Sequence, residues 1–269
     1  MVLSAASGAT TEVAPVLLEY RGVSKSFPAI GNRGEFQALQ AVDLTIRKGE
    51  FITLVGPSGC GKSTLLMITG ALLDATTGTV LYDNRPVKAP SREVGIMFQA
   101  PVLFSWRTVE KNVLLPAEIY GIPEESVRPK AQRILDLVGL TEFLSAYPNQ
   151  LSGGMQQRVA LARVLAYEPI VLLMDEPFGA LDEFTREAMN LELLRLTQET
   201  GITVLFVTHN IPEAVFLADR VVVMRTRPGR VAGVVDVPFE RPRTIDMMRD
   251  SRFTDLTFRV RSILGGAEA

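Results

Sequence analysis

Gly56-Pro57-Ser58-Gly59-Cys60-Gly61-Lys62-Ser63 sets three glycines, a lysine and two hydroxyls within eight residues. This fits G-x-x-x-x-G-K-[ST], a loop whose backbone N–H groups wrap phosphates. Glycines without Cβ let the chain approach the ligand, Lys62 supplies a point charge to the β- and γ-phosphates, and the Ser63 hydroxyl can ligate Mg²⁺. Gly56, Ser58, Gly59, Cys60, Gly61, Lys62, Ser63 and Thr64 are therefore candidate phosphate-binding residues. A second pattern, Leu151-Ser152-Gly153-Gly154-Met155-Gln156-Gln157-Arg158, places Ser152, Gly153 and Gly154 at the start of a helix-like run. Free N–H groups there again face an anion. Asp175 and Glu176 end an apolar run: Asp175 is placed to hold Mg²⁺ and Glu176 to polarise an attacking water. His209, the only histidine, ends another such run, where it can contact the γ-phosphate or that water. Gln99 is a candidate for Mg²⁺ or water, and Phe27 for stacking on an adenine face. Alone, an acid pair or a single histidine is an ordinary turn or structural group. Behind strands in a chain with a phosphate loop, they read as a site.

Specific elements must position these groups. Phe51–Val55 is a continuous apolar run, as expected of a buried strand, and it feeds the glycine loop, with helix from Lys62 onward. Val94–Phe98, Ile170–Met174, Val204–Val207 and Val221–Met224 read as further strands, and Glu183–Glu199 as a connecting helix. Strand–helix–strand units imply a mainly parallel sheet with right-handed crossovers. Val16–Val23 and Gln37–Ile46 read as N-terminal strands separated by a turn-rich insert, 28–34. Between about 101 and 166 the pattern turns helical: Val127, Ala131, Ile134, Leu135 and Val138 mark one face, and Gly139 follows as a stop. Phe253, Leu256, Val260 and Ile263 predict a last amphipathic helix. The expected architecture is α/β, with a domain over 16–264, an inserted helical subdomain, and tails at 1–15 (disordered) and 265–269.

The 269 residues, 47% of them hydrophobic, suit one large domain with a subdomain. Lys and Arg total 28 against 30 Asp and Glu, for a net charge of −2. Nucleic acid is not expected as a partner, because it usually leaves a basic footprint. The single cysteine, Cys60, cannot form an internal disulfide, which suits a reducing compartment. No stretch approaches the roughly 18 apolar residues of a spanning helix.

Together these motifs resemble the ATP-binding subunits of ABC transporters, from about Leu17 to Leu264. Gly56–Ser63 is similar to Walker A, Ile170–Asp175 to Walker B and Leu151–Arg158 to the ABC signature. Gln99 matches the Q-loop, Ala180-Leu181-Asp182 the D-loop and His209 the switch histidine. The resemblance implies a P-loop ATPase fold with an N-terminal antiparallel β subdomain, with ATP and Mg²⁺ as ligands. It implies a head-to-tail pair of identical subunits, in which Ser152 and Gly154 of one cap the ATP held by Lys62 of the other. Ser105-Trp106-Arg107-Thr108-Val109, Phe178–Arg186 and Arg227–Arg230 resemble, more narrowly, the nitrate/sulfonate/taurine importer group, although Phe104-Ser105 stands where Leu-Pro is the group's pattern. This resemblance implies a motor on the cytoplasmic face of the inner membrane, attached to integral membrane permease subunits that a solute-binding protein supplies. No regulatory domain is expected after Leu264.

Two alternatives differ in class. One is a soluble ABC ATPase of DNA repair or translation, which would bring tandem motor domains or a long coiled-coil insert. The other is a nucleotide-sensing module without turnover, against which Glu176 and His209 both argue. The solute itself is not encoded in these residues.

Overall fold

The computed structural model describes residues 14–28 and 34–266. The proposed N-terminal tail (but for Ala14 and Pro15), most of the insert after Pro28 and the last three residues lie outside them. Two sheets carry the architecture. The first is antiparallel, with order β2-β1-β4-β5, from β1 (Val16–Phe27), β2 (Phe36–Arg47), β4 (Thr77–Tyr82) and β5 (Arg85–Pro86). The second has order β10-β9-β3-β8-β7-β6, from β3 (Phe51–Val55), β6 (Val94–Met97), β7 (Val171–Asp175), β8 (Thr203–Thr208), β9 (Arg220–Arg225) and β10 (Arg230–Asp236). Within it only β10 runs antiparallel, against β9. The helices are α1 (Lys62–Thr69), α2 (Val109–Tyr120), α3 (Glu124–Leu137), α4 (Gly153–Leu165), α5 (Glu183–Thr200), α6 (Ile211–Leu217) and α7 (Ser251–Gly265).

The central strands are buried along their whole length because both faces are covered. Successive side chains point to opposite faces. Ile52, Leu54, Leu205 and Val207 join the layer beneath α1 and the antiparallel sheet. Phe51, Val55, Val204 and Phe206 join the opposite layer with Leu193, Phe216 and Val260 of α5, α6 and α7. Burying each such side chain is worth about 1.5–3 kcal/mol. The helical segment has a core of its own, including Val113, Val127, Leu135 and Val159, and α4 reaches both that core and the main one. β4, β5, β10 and α6 are additions to the elements expected from sequence, and β1 runs four residues further than expected, to Phe27.

Candidate functional site

Four strands deliver the chemistry to one edge. β3, β8, β7 and β6 are parallel neighbours in that order, with Val55 level with Thr208, Asp175 with Val207, and Met97 with Met174. Their C-terminal ends therefore lie together, and the glycine loop, His209, Glu176 and Gln99 all follow from them. This edge is where open α/β sheets bind ligands.

The loop enters α1 through Gly61, whose φ of +90° a residue with a Cβ rarely adopts. Helices α2, α4, α5, α6 and α7 are capped by the side chains of Thr108, Ser152, Asp182, Asn210 and Asp250, whereas α1 and α3 have no side-chain cap. The first-turn N–H groups of α1 have no intrahelical acceptor, so they face outward as donors for an anion. Lys62 is buried, and its Nζ curls back onto the loop, donating to Gly56 O at 2.7 Å and Pro57 O at 3.1 Å. Ser58 and Gly59 are exposed; Ser63 and Thr64 are half-buried. The thiol of Cys60 points into the core below β2, and burial pushes its pKa up, so it stays a neutral thiol. Its N–H donates to Pro57 O at 3.3 Å, closing the turn. Strand β2 and the β9–β10 turn brace the loop from outside. A Cβ on Gly61 would sit 3.1 Å from Ala38 O, and one on Gly229 would sit 2.4 Å from Cys60 O.

Asp175 is half-buried, and desolvation raises its pKa. The nearby Ser63 hydroxyl and Lys62 ammonium oppose that rise, whereas Glu176 adds to it. A carboxylate and a hydroxyl with charge left uncompensated suit a hard cation that draws its other ligands from phosphate and water, the usual habit of Mg²⁺. Among the described residues no cluster of three His, Cys, Asp or Glu side chains makes an all-protein metal cage. Glu176 has φ of +45°, a left-handed conformation that costs a side-chain-bearing residue about 1–2 kcal/mol. Its N–H donates to Val207 O at 3.0 Å, and its Oε2 lies 3.0 Å from His209 Nδ1. With Glu176 as the carboxylate, Nδ1 donates and Nε2 is left for another partner. His209 is exposed, so that partner can come from solution.

The glycine loop, Asp175, Glu176 and His209 are thus brought together. The other candidates are placed as follows. The Gln99 side chain is exposed, and only its carbonyl is fixed, accepting from Gln157 Nε2 at 2.5 Å. It follows β6, the strand paired with β7 of Asp175 and Glu176, and lies three strands from the glycine loop after β3. Ser152 caps α4 through a 3.3 Å bond from Met155 N–H, and Ser152 and Gly153 are exposed. Gly154 backs onto Leu181 of the turn after Glu176. Phe27 ends β1, half-buried, with Lys25 Nζ 5.2 Å from its ring centroid. Sequence reasoning missed residues that hold the site's loops. Buried Asn112 bonds the backbone of Phe104, Arg107 and Thr108, and Arg163 bonds the carbonyls of Pro101 and Val102. The only sequence signal for them was their place on a helix face.

Residues 39–179 match the family described as ABC transporter. The chain belongs to the ABC transporter family. It is 49% identical over 228 residues to an uncharacterized ABC transporter ATP-binding protein of Methanocaldococcus jannaschii, covering 85% of each chain. It is 43% identical over 244 residues to the nitrate import ATP-binding protein of Synechococcus elongatus, covering 89% of this chain and 88% of the other. Among solved structures it is similar to a dimeric ATP-binding cassette in a post-hydrolysis state with ADP and Pi, at 35% identity and a TM-score of 0.75, covering 83% of this chain and all of that one. As a member, the cassette binds and hydrolyses ATP. No helix among the described residues is long and apolar enough to cross a membrane.

Proposed function

We propose that this cassette is the motor of an importer for a small anion of the nitrate, sulfonate or taurine type, acting through a separate membrane permease. The observation that carries the catalytic part is the meeting of the uncapped glycine loop, Asp175 and the Glu176–His209 pair, 3.0 Å apart, at one sheet edge. Residues 56–64 cradle the phosphates, and Lys62 turns from its own loop carbonyls to the β- and γ-phosphates. Ser63 and Asp175 would hold Mg²⁺, which neutralises phosphate charge when bound, with Gln99 a further ligand or a water contact. Glu176 takes the proton of the attacking water, and His209 orients Glu176 and meets the γ-phosphate. Phe27 stacks on the adenine.

Within its own chain the Ser152 oxygen caps α4, and Ser152 and Gly153 are exposed to a partner. In a head-to-tail pair, Ser152, Gly153 and Gly154 of one copy cap the ATP of the other, and the dimeric state of the solved relative supports that arrangement. The anion class rests on the nitrate-import relative and on the 105–109, 178–186 and 227–230 motifs. The loop after Gln99 exposes an aromatic pair, Phe104 and Trp106, with ring centroids 4.8 Å apart and Trp106 70% exposed. Packing of Trp106 inside the helical segment is thereby excluded, and the pair suits a permease contact that would keep the cassette peripheral to the membrane, on its cytoplasmic face. A solute-binding protein would feed the permease.

Mixing Lys62→Ala and Ser152→Arg subunits tests the composite site. The mixed dimer holds one site with both defects and one with neither, so nucleotide is trapped at half stoichiometry. Absence of trapping while parent dimers trap normally would refute the head-to-tail reading. Co-expression with permease genes adjacent to the cassette's own, followed by anion-stimulated ATP turnover in vesicles, tests the transport reading. Turnover that no permease or anion alters would favour a soluble ATPase.

A further inference from the structure

Thr208 immediately precedes His209, and it is held by a carboxylate that the hydrolysis reading does not use. Glu213, on α6, is 7% exposed. Its Oε2 accepts from Thr208 Oγ1 at 2.5 Å, and its Oε1 accepts from Asn190 Nδ2 of α5 at 3.2 Å. Thr208 Oγ1 accepts in turn from the N–H of Asn210 at 3.0 Å, and Asn210 Oδ1 accepts from the N–H of Glu213 at 3.1 Å. His209 is thus flanked on both sides by residues pinned to Glu213. Asn190 and Thr208 are also buried, at 5% and 3% exposure. Burying a carboxylate is unfavourable unless its oxygens are satisfied. Here both are, and one of the bonds belongs to the turn that carries the histidine.

We propose that Glu213 is a positioning residue for hydrolysis, holding the turn 208–210 so that His209 Nδ1 meets Glu176, and tying that turn to α5. The proposal rests on the reading of Glu176 and His209 as the hydrolytic pair. Without Glu213, Thr208 loses its acceptor and the Asn210 N–H loses a fixed partner, so the peptide bearing His209 can rotate. A displacement near 1 Å in a group that must align with the reacting atoms costs about 100-fold. The link to α5 matters because that helix is capped by Asp182, in the turn that follows Glu176. The two ends of the His209–Glu176 contact are thereby braced against one another. Glutamine can restore the network once the Asn190 amide turns over: its carbonyl accepts from Thr208, and its Nε2 donates to Asn190 Oδ1, which has no partner among the described residues in the present orientation.

The experiment uses the full chain with Glu213→Ala, Glu213→Gln, Thr208→Val and Glu176→Gln, and combines the first and third with His209→Ala. Single-turnover phosphate release, ATP affinity and thermal unfolding are measured for each. Glu213→Ala and Thr208→Val should slow turnover by about ten- to 100-fold with ATP affinity changed less than about twofold. Glu213→Gln should return to within about threefold of the parent, since both hydrogen bonds can be remade. In the His209→Ala background, Glu213→Ala and Thr208→Val should each change the rate less than about twofold, because groups that act as one unit are not additive. Equal losses in both backgrounds would mean a general structural role and overturn the proposal, as would parent-like turnover in a folded Glu213→Ala protein. If Glu213→Ala does not fold, Thr208→Val, which deletes only the hydroxyl link, decides by the same criteria. Normal turnover by Glu176→Gln would overturn the underlying site reading, whereas loss there with no effect at Glu213 would sink this inference alone.

Discussion

Glu176→Gln separates chemistry from binding and from folding. The substitution keeps side-chain length and a group able to pair with His209 Nδ1, now 3.0 Å from the carboxylate. It inherits the same φ of +45°, so the backbone strain is common to both proteins and cancels. What changes in stability is the charged character of a pair whose His209 side chain is 62% exposed, and such exposed pairs are worth under about 1 kcal/mol. Against a total of roughly 5–15 kcal/mol the protein stays folded. Turnover is affected on another scale: removing a general base costs about 10²–10⁴-fold, or roughly 2.7–5.5 kcal/mol of barrier. ATP binding should hold or tighten, because Lys62 and Ser63 are untouched and the negative charge that helps raise the Asp175 pKa is gone. The ATP-bound pair of subunits should then accumulate. The assays are single-turnover phosphate release, ATP affinity and size by light scattering. Turnover within about tenfold of the parent in a folded variant would refute the assignment, since a general base typically contributes about 10²–10⁴-fold.

Gly56→Ala should destabilise by about 1–3 kcal/mol through overpacking, because the added Cβ would lie 2.5 Å from Met224 O and 2.7 Å from Cys60 Sγ. Chemical denaturation measures this, and nucleotide affinity should fall with it. Asp175→Asn tests the raised carboxyl pKa. The folded value lies above the unfolded 3.8, so ionisation costs the folded state stability as pH rises through the folded pKa. The nucleotide-free variant should therefore unfold at higher temperature than the parent near pH 7, with the gap closing as pH falls below about 4; a gap that widens in acid would contradict the sign. Phe104→Ala with Trp106→Ala should weaken permease capture by at least about tenfold, as loss of an aromatic hot spot does, while ATP affinity is unchanged. Equal capture would place the docking surface elsewhere.

The site's frame was legible in the sequence wherever burial is two-sided. Phe51–Val55, Val171–Met174 and Val204–Val207 carry apolar runs, broken only by Thr53, because helices or sheet cover both faces. Each run ends within two residues of a proposed site residue, so strand and candidate site form one signal. Legibility failed where backbone approach, not side-chain pattern, sets the structure. Thr77–Tyr82 contains Gly78, which reads as a turn; it is a strand residue at φ +76°, where a Cβ would sit 2.2 Å from Gly22 O. β10 is obscured in the same way by Gly233, whose Cβ position faces Ile263, and α6 is only seven residues with a proline near its start. Orientation was also hidden. Cys60 and Ser63 share one motif, yet the first is buried in the core and the second is half-buried beside Asp175.

The two glutamates near the sheet edge make the limit plain. Glu176 follows a strand directly, and its exposed neighbour His209 marks it as chemistry. Glu213 follows Asn210 by three residues, a spacing that predicts a reciprocal cap at a helix N-terminus. Asn210 does accept from the Glu213 N–H, but the Glu213 carboxylate turns inward to Thr208 and Asn190. A local cap satisfies a helix end, whereas an inward carboxylate links α5 to the turn bearing His209. Only the packing of α6 between β3, α5 and α7 decides between them. A residue's chemistry is written in its type and its place along the chain; what it acts upon is fixed by which neighbours the fold brings to it.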